Sequence, residues 1–118
     1  MDKVSIIVRT CGRPEVLRGA LESIRKQTYP DVETVVIEDG LEISRQMICT
    51  EYSDLQLRYI STGKRVGRAK AGNLGMKVAQ GKYLNFLDDD DVLYPEHIEI
   101  LLQTLQSAEE KAVYSVAE

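Results

Sequence analysis

The sequence predicts an α/β fold in which an open, mainly parallel sheet carries helices on both faces, in three layers. Short apolar runs, β-branched in the first two, alternate along the chain with longer segments whose apolar residues recur at helical spacing. Strands that alternate with helices pair in parallel through right-handed crossovers. A polar segment follows each of the first four predicted strands. The length of 118 residues fits one domain, residues 1–118, since domains run to about 100–200 residues.

The first half of the chain predicts two strands and two helices. Residues 4–8 form the first strand, because they are mostly β-branched and end at a polar, turn-forming segment. A helix opens at Pro14, and Pro30 closes the connection after it. The apolar residues of this helix recur every three or four positions, at Val16, Leu17, Ala20, Leu21 and Ile24. Residues 33–37 form the second strand. A weaker helix follows, marked by Ile43, Met47 and Ile48.

The second half predicts three more strands, at residues 57–60, 83–87 and 112–116. A basic loop containing two glycines, residues 63–68, leads into a helix that Gly81 is expected to cap. One face of that helix carries Ala71, Leu74, Gly75 and Val78. Pro95 starts the last helix. Its apolar positions are Ile98, Leu101, Leu102 and Leu105.

Composition and charge exclude several classes of protein. Nineteen acidic residues against 15 basic ones give a net charge of −4, which argues against a general nucleic-acid binder. Cys11 and Cys49 form no CxxC pair, so we expect free thiols in a reducing compartment and a cytoplasmic location. The first apolar stretch ends at Arg9 and is too short for a signal peptide or a membrane span.

The polar segments that follow the strands are expected to gather at one rim of the sheet, where ligands of open α/β proteins bind. They are residues 10–13, 38–40, 63–68 and 88–91. Two acidic segments would therefore face one basic loop.

The acidic segment consists of four consecutive aspartates, which repel one another unless a cation compensates them. On an extended backbone, Asp88 and Asp90 would point one way and Asp89 and Asp91 the other. Hard carboxylate oxygens suit Mg²⁺ or Mn²⁺, and substrate phosphates usually complete the shell of Mg²⁺. The pattern therefore favours a nucleotide diphosphate as the ligand.

Each of these features also has a plainer explanation when it is taken alone. Asp91 could cap the following helix, and Asp39 with Gly40 is a common turn pair. Basic side chains are often only solvated, which applies here to Lys64, Arg65 and Arg68.

Two other residue types are interpreted as not functional. His97 is the only histidine of the sequence and is expected at the surface. Cys11 has no base partner within its segment and is not expected to be a nucleophile.

The nucleotide motifs GxGxxG after the first strand and GxxxxGK[ST] are both absent from the sequence.

Several segments together resemble the family 2 glycosyltransferases of GT-A fold, and the resemblance covers nearly the whole chain. The most specific pieces are the Ser-Ile-x-x-Gln-Thr-Tyr segment at residues 23–29, the run at 71–83 and the Leu-Asp-x-Asp-Asp tract at 87–91, ahead of Pro95. The first strand and residues 36–40 also match. The resemblance implies a Rossmann-like, nucleotide-sugar-binding half of a GT-A domain.

The resemblance also implies a donor, a cation and a reaction. The donor would be a nucleotide-diphosphate sugar, most often of UDP, bound through Mn²⁺ or Mg²⁺ at an Asp-x-Asp motif. The sugar would pass to an unknown glycan or lipid-linked acceptor with inversion. The family's catalytic base lies beyond this motif in the acceptor-binding half, so we expect it outside residues 1–118.

Individual roles follow from the same resemblance. Asp39 would contact the uracil, and Thr10 and Arg13 would lie along the nucleoside. Asp88 and Asp89 would lie near the ribose and the metal, with Asp90 and Asp88 as metal ligands. Arg68 would reach the base or the diphosphate.

Two hypotheses therefore stand. In the first, the chain is the donor-binding half of a glycosyltransferase and lacks the acceptor-binding half. In the second, it is a non-catalytic scaffold or interaction domain that keeps the fold without binding nucleotide. Because the sheet would end in an open edge, we also expect self-association through that edge.

Overall fold

The structure is a computed structural model that describes residues 2–107, in which four strands alternate with four helices. The elements in chain order are β1 (Val4–Thr10), α1 (Pro14–Arg25), β2 (Val32–Glu38), α2 (Arg45–Glu51), β3 (Leu57–Ser61), α3 (Arg68–Val78), β4 (Tyr83–Asp88) and α4 (His97–Ser107). The α/β class is confirmed. Each of the first four predicted strands lies within an observed one, and the fifth, at 112–116, lies outside the described residues.

The four strands form one parallel sheet in the order β3-β2-β1-β4. In the register of the central strand, Val4 pairs with Val32 of β2 on one side and with Tyr83 of β4 on the other. The chain runs from β1 outward through β2 to β3 and then returns to the other side of β1. The strand order thus reverses between β1 and β4, and in open α/β sheets ligands bind at such a reversal, beyond the carboxyl ends of the strands.

Helices cover both faces of the sheet, as the three-layer prediction requires. On one face, Ile6 and Val8 of β1 belong to a buried cluster with side chains of α1, α2 and α4. On the other face, Ile7 of β1 and Ile37 of β2 pack with Ala71 of α3. The central strands are almost wholly buried, which explains why both carry β-branched residues on both faces rather than in alternation with polar ones.

Two predicted helix boundaries are wrong. Helix α3 ends at Val78 and its cap, Ala79, is extended, so Gly81 does not cap it. Gly81 instead lies against β1, where its N–H donates to the Ser5 hydroxyl at 2.8 Å. A Cβ at Gly81 would come within 2.6 Å of the Ser5 backbone nitrogen, and this close approach explains the glycine.

The last helix begins at His97, two residues after Pro95, the predicted start. None of the helices among residues 2–107 combines the length and apolar character that crossing a bilayer demands.

Candidate functional site

A cavity of about 240 Å³ opens at the carboxyl edge of the sheet, where the strand order reverses. Its lining is made of Arg9, Thr10, Cys11, Arg13, Asp39, Arg65, Arg68, Ala71, Asp88, Asp89 and Asp90. All seven residues that the sequence analysis names as site residues are in this set. The structure therefore brings the polar segments together, as the topology predicts.

Asp89 is the buried carboxylate of the acidic tract. Its oxygens accept hydrogen bonds from the Thr10 hydroxyl at 2.8 Å and from Nε of Arg13 at 3.2 Å, with a second contact to the Arg13 guanidinium. The hydrogen bond to Asp89 raises the pKa of Arg13 above its ordinary value, and the Coulomb attraction between the two adds to the rise. Asp89 thus fixes the loop after β1 to the end of β4.

Asp39 is also buried, and it holds the basic loop in place. Its carboxylate oxygens accept backbone N–H groups of Val66 at 2.7 Å and Gly67 at 3.0 Å, and its own N–H donates to the carbonyl of Thr10 at 2.8 Å. Gly67 has a φ of 98°, a conformation that a side chain would disfavour. Asp39 therefore orients the segment from which Arg68 projects.

The remaining three aspartates converge, which corrects the expected alternation. Strand β4 ends at Asp88, and a turn closed by the Asp91 N–H and the Asp88 carbonyl, at 3.0 Å, follows it. Asp88, Asp90 and Asp91 consequently offer carboxylate oxygens that all lie within 4.8 Å of one another. Asp91 is no helix cap, since α4 begins six residues later. Three convergent carboxylates fit a hard divalent cation.

Two arginines neutralise Asp88. Arg9 of β1 donates to its Oδ1 at 3.0 Å, and Arg68 of α3 donates to Oδ1 at 3.1 Å and to Oδ2 at 3.0 Å. Arg68 therefore lies at the acidic tract, with a side chain that is largely exposed, and its contact with the base or the diphosphate remains a prediction. Arg9 is a cavity residue that the sequence analysis did not single out.

Glu38 is a second residue that sequence reasoning missed, although its segment was expected at the rim. Its fully buried carboxylate accepts N–H groups of Gly12 at 3.1 Å and Ser44 at 2.8 Å. The hydroxyls of Ser44 and Tyr59 also donate to it. Burial, together with this hydrogen bond, raises the pKa of Tyr59. The Glu38 carboxylate therefore connects the loops after β1 and β2 to β3. Its position at the end of a buried strand is the sequence feature from which this role could have been predicted.

The predictions for the other reactive side chains had mixed outcomes. His97 is half-buried rather than at the surface, with Nε2 lying 3.4 Å from Oδ1 of Asn85, and burial lowers its pKa. Cys11 and Cys49 are free thiols, as expected, and Cys11 lines the cavity. Its exclusion as a nucleophile remains a prediction.

A protein-family model described as glycosyl transferase family 2 matches residues 5–117. Among curated proteins, the glycosyltransferase GlyG of Streptococcus pneumoniae is 30% identical over 114 residues, which cover 95% of this chain and 38% of GlyG. The uncharacterised glycosyltransferase YwdF of Bacillus subtilis is 34% identical over 107 residues, covering 91% of this chain and 40% of YwdF. The chain thus spans about two fifths of the length of these relatives.

Solved glycosyltransferase structures show the same fold. Residues 1–349 of S. aureus TarS in complex with UDP-GlcNAc superpose with a TM-score of 0.80 at 27% identity, over 88% of this chain and 31% of that one. The mannosyltransferase PcManGT of Pyrobaculum calidifontis, solved with GDP-Man and Mn²⁺, gives a TM-score of 0.79 over 92% of this chain and 33% of its own. At 22% identity, that likeness concerns the fold alone.

Proposed function

This chain belongs to glycosyltransferase family 2, and from that membership we propose that residues 1–118 are the donor-binding half of a glycosyltransferase that uses a UDP-sugar. The observation that carries the proposal is the cavity at the reversal of strand order, lined by carboxylates and guanidinium groups together. A diphosphate and a divalent cation supply the opposite charges that such a lining attracts. The UDP-GlcNAc bound to TarS supports uridine as the nucleoside.

In this proposal Asp88 and Asp90 would hold Mn²⁺ or Mg²⁺, and Asp91 is near enough to join them. When bound, the cation would neutralise charge that develops on the leaving diphosphate. Arg68 is the first residue of α3 and lines the cavity. Its exposed guanidinium is therefore placed to bind a phosphate.

The nucleoside would lie along β1 and the loop after it. Thr10 and Arg13 line that side of the cavity, and the buried Asp89 orders both. Asp39 lines the cavity as well. Its Oδ1 accepts the Val66 N–H and the Thr62 hydroxyl, whereas its Oδ2 accepts the Gly67 N–H and retains a lone pair for a further donor. We assign Asp39 the N–H of the uracil base.

Transfer itself would need groups outside these residues. We propose that the acceptor is a glycan or lipid-linked molecule, that the anomeric centre inverts, and that the catalytic base lies in an acceptor-binding half beyond residues 1–118. The free thiols support a reducing, cytoplasmic setting. The open edge of β4 supports self-association of the 118-residue chain.

Calorimetric titration of UDP, GDP and TDP, with Mn²⁺ and again with EDTA, tests the proposal. We expect UDP to bind best and to need the metal. Asp90→Asn should weaken the Mn²⁺-dependent binding by about tenfold or more, as loss of metal-site groups commonly does. The matched control is Asp54→Asn, because Asp54 is an exposed carboxylate paired with Arg25 away from the cavity. A folded protein that binds none of the three nucleotides would contradict the proposal and favour the scaffold hypothesis.

A further inference from the structure

Arg9 is an unusual residue for its place in the fold. It lies on the central strand β1, among residues that are otherwise almost wholly buried, and its side chain is only 24% exposed. Its Nε is the one buried side-chain nitrogen or oxygen that lacks a hydrogen-bond partner among the side chains of residues 2–105. Burying an unpaired donor is costly, so a strand that keeps arginine here calls for a compensating role.

The surroundings of Arg9 hold its side chain in one place. Gly72 of α3 faces it, and a Cβ added to Gly72 would lie 3.8 Å from both Cδ and Nη1 of Arg9. On the β4 side, the guanidinium carbon lies 5.6 Å from the centre of the Phe86 ring, within reach of a cation–π interaction. Gly72 and Phe86 thus flank the guanidinium on two sides.

Arg9 and Asp88 are also direct neighbours in the register of the sheet. Directly opposed side chains of neighbouring strands lie on the same face, so the ion pair of 3.0 Å between them follows from the sheet itself. Arg68 reaches the same carboxylate from outside, with a side chain that is 72% exposed. Asp88 is therefore held by one enclosed and one exposed arginine.

These two arginines cannot have the same role when a cation is bound. Arg68 donates hydrogen bonds to both carboxylate oxygens of Asp88, so a cation that binds Asp88 competes with Arg68 for them. Arg68 is free to turn toward an anion in the cavity, whereas Arg9 is enclosed by Gly72 and Phe86.

We propose that Arg9 is a positioning residue that keeps the Asp88 carboxylate oriented for the cation, while Arg68 leaves Asp88 for the diphosphate of the donor. This inference rests on the proposed donor site, and it assigns different tasks to two arginines that contact the same carboxylate. Arg9 acts only through Asp88, and Arg68 acts on the ligand.

The test measures UDP affinity by calorimetry at a limiting and at a saturating concentration of Mn²⁺. At limiting Mn²⁺ we expect Arg9→Gln to lose about tenfold or more in affinity, as for groups that orient metal ligands. At saturating Mn²⁺ most of this loss should disappear, because a misoriented Asp88 weakens the cation site and excess cation refills it. Arg68→Gln should lose affinity at both concentrations, because its contact to phosphate does not depend on filling the cation site.

Two further variants and one control measurement make the outcome specific. Arg9→Lys keeps the charge without the planar fork and should fall between wild type and Arg9→Gln. Arg18→Gln removes an arginine paired with Glu51 away from the cavity and should bind as wild type does. Thermal unfolding of each variant shows whether it is folded at the temperature of the titration.

The inference is overturned if Arg9→Gln binds UDP as wild type does at limiting Mn²⁺. It is also overturned if the loss is the same at both Mn²⁺ concentrations, since Arg9 would then touch the nucleotide itself. If the wild-type chain binds no nucleotide at any Mn²⁺ concentration, the proposed function fails, and this inference fails with it.

Discussion

At the scale of single residues, the buried carboxylate of Glu33 makes stability depend on pH. Glu33 lies near the amino end of the sheet and accepts hydrogen bonds from the Ser5 hydroxyl at 2.5 Å and the Gln80 N–H at 2.7 Å. Burial acts to raise the pKa of Glu33, but these hydrogen bonds and the positive charge of Arg58 outweigh it, so the pKa lies below its ordinary value of 4.5.

A lowered pKa in the folded state fixes the sign of the effect. The unfolded chain takes up the proton more readily, so this contribution to stability is complete above about pH 4.5 and is lost as the pH falls through the folded-state pKa. We expect Glu33→Gln to have a lower free energy of unfolding than wild type at pH 7, and the difference between the two proteins to become smaller by pH 3. Urea unfolding at pH 7, 5 and 3 measures this difference, with Glu15→Gln on the exposed side of α1 as the control. A gap that does not change with pH would refute this origin of the stability.

Glu38 and Arg9 are site residues whose contacts could not be predicted from the sequence. The acidic and basic segments could be predicted to meet at the rim, because their positions follow from where the strands end. The hydrogen-bond partners of Glu38 could not be predicted in this way. Gly12 and Tyr59 lie 26 and 21 residues away from it in sequence, and their approach depends on tertiary packing. Arg9 follows an apolar run, and only the strand register shows that it faces Asp88.

At the scale of elements, the strands were easier to predict than the ends of the helices. A β-branched run between polar segments is a local signal, and residues 4–8 and 33–37 both proved to be strands. The turn at Asp88 to Asp91 was mispredicted because side chains alternate between the two faces only while the backbone is extended. The sequence does not show at which residue the extended strand ends. Gly81 was misassigned because a glycine needed for close approach to Ser5 resembles, in sequence, one that caps a helix.

Helix α3 contains two glycines whose replacement should have opposite effects. A Cβ at Gly72 would make ordinary contacts of 3.6 Å or more, whereas a Cβ at Gly75 would come within 2.5 Å of Cγ2 of Ile7. Alanine is favoured over glycine within a helix by about 1 kcal/mol. We therefore expect Gly72→Ala to be more stable by up to about 1 kcal/mol.

The same substitution at Gly75 should instead destabilise the protein by about 1–3 kcal/mol, because the branched side chain of Ile7 is fully buried and has little room to move. Chemical denaturation of the two variants side by side removes any general effect of alanine in α3. Equal effects of the two substitutions would contradict the packing described for this face of the sheet.

At the scale of the whole molecule, the strand order decides which surface is left uncovered. Alternating strands and helices predict a parallel sheet without saying which strands lie outermost. In the structure β4 pairs with β1 on one side, and no strand pairs with its other side among residues 2–107. The sheet of residues 2–107 ends at β3 on one side and at β4 on the other. Leu84 and Phe86 of β4 are 43% and 44% exposed, so the β4 edge carries apolar side chains beside unpaired backbone groups.

An edge of this kind is a template for pairing with another chain, and we expect the 118-residue chain to self-associate as its concentration rises. Leu84→Lys places a charge on the exposed apolar side of β4 and should shift the chain toward the monomer in sedimentation experiments. Phe86 is unsuited to this test, because its ring packs against Arg9. Val16→Lys is the control, since Val16 is also an exposed apolar residue but lies on α1. A wild-type chain that stays monomeric at high concentration would contradict the prediction. Equal loss of association in both variants would place the contact away from β4.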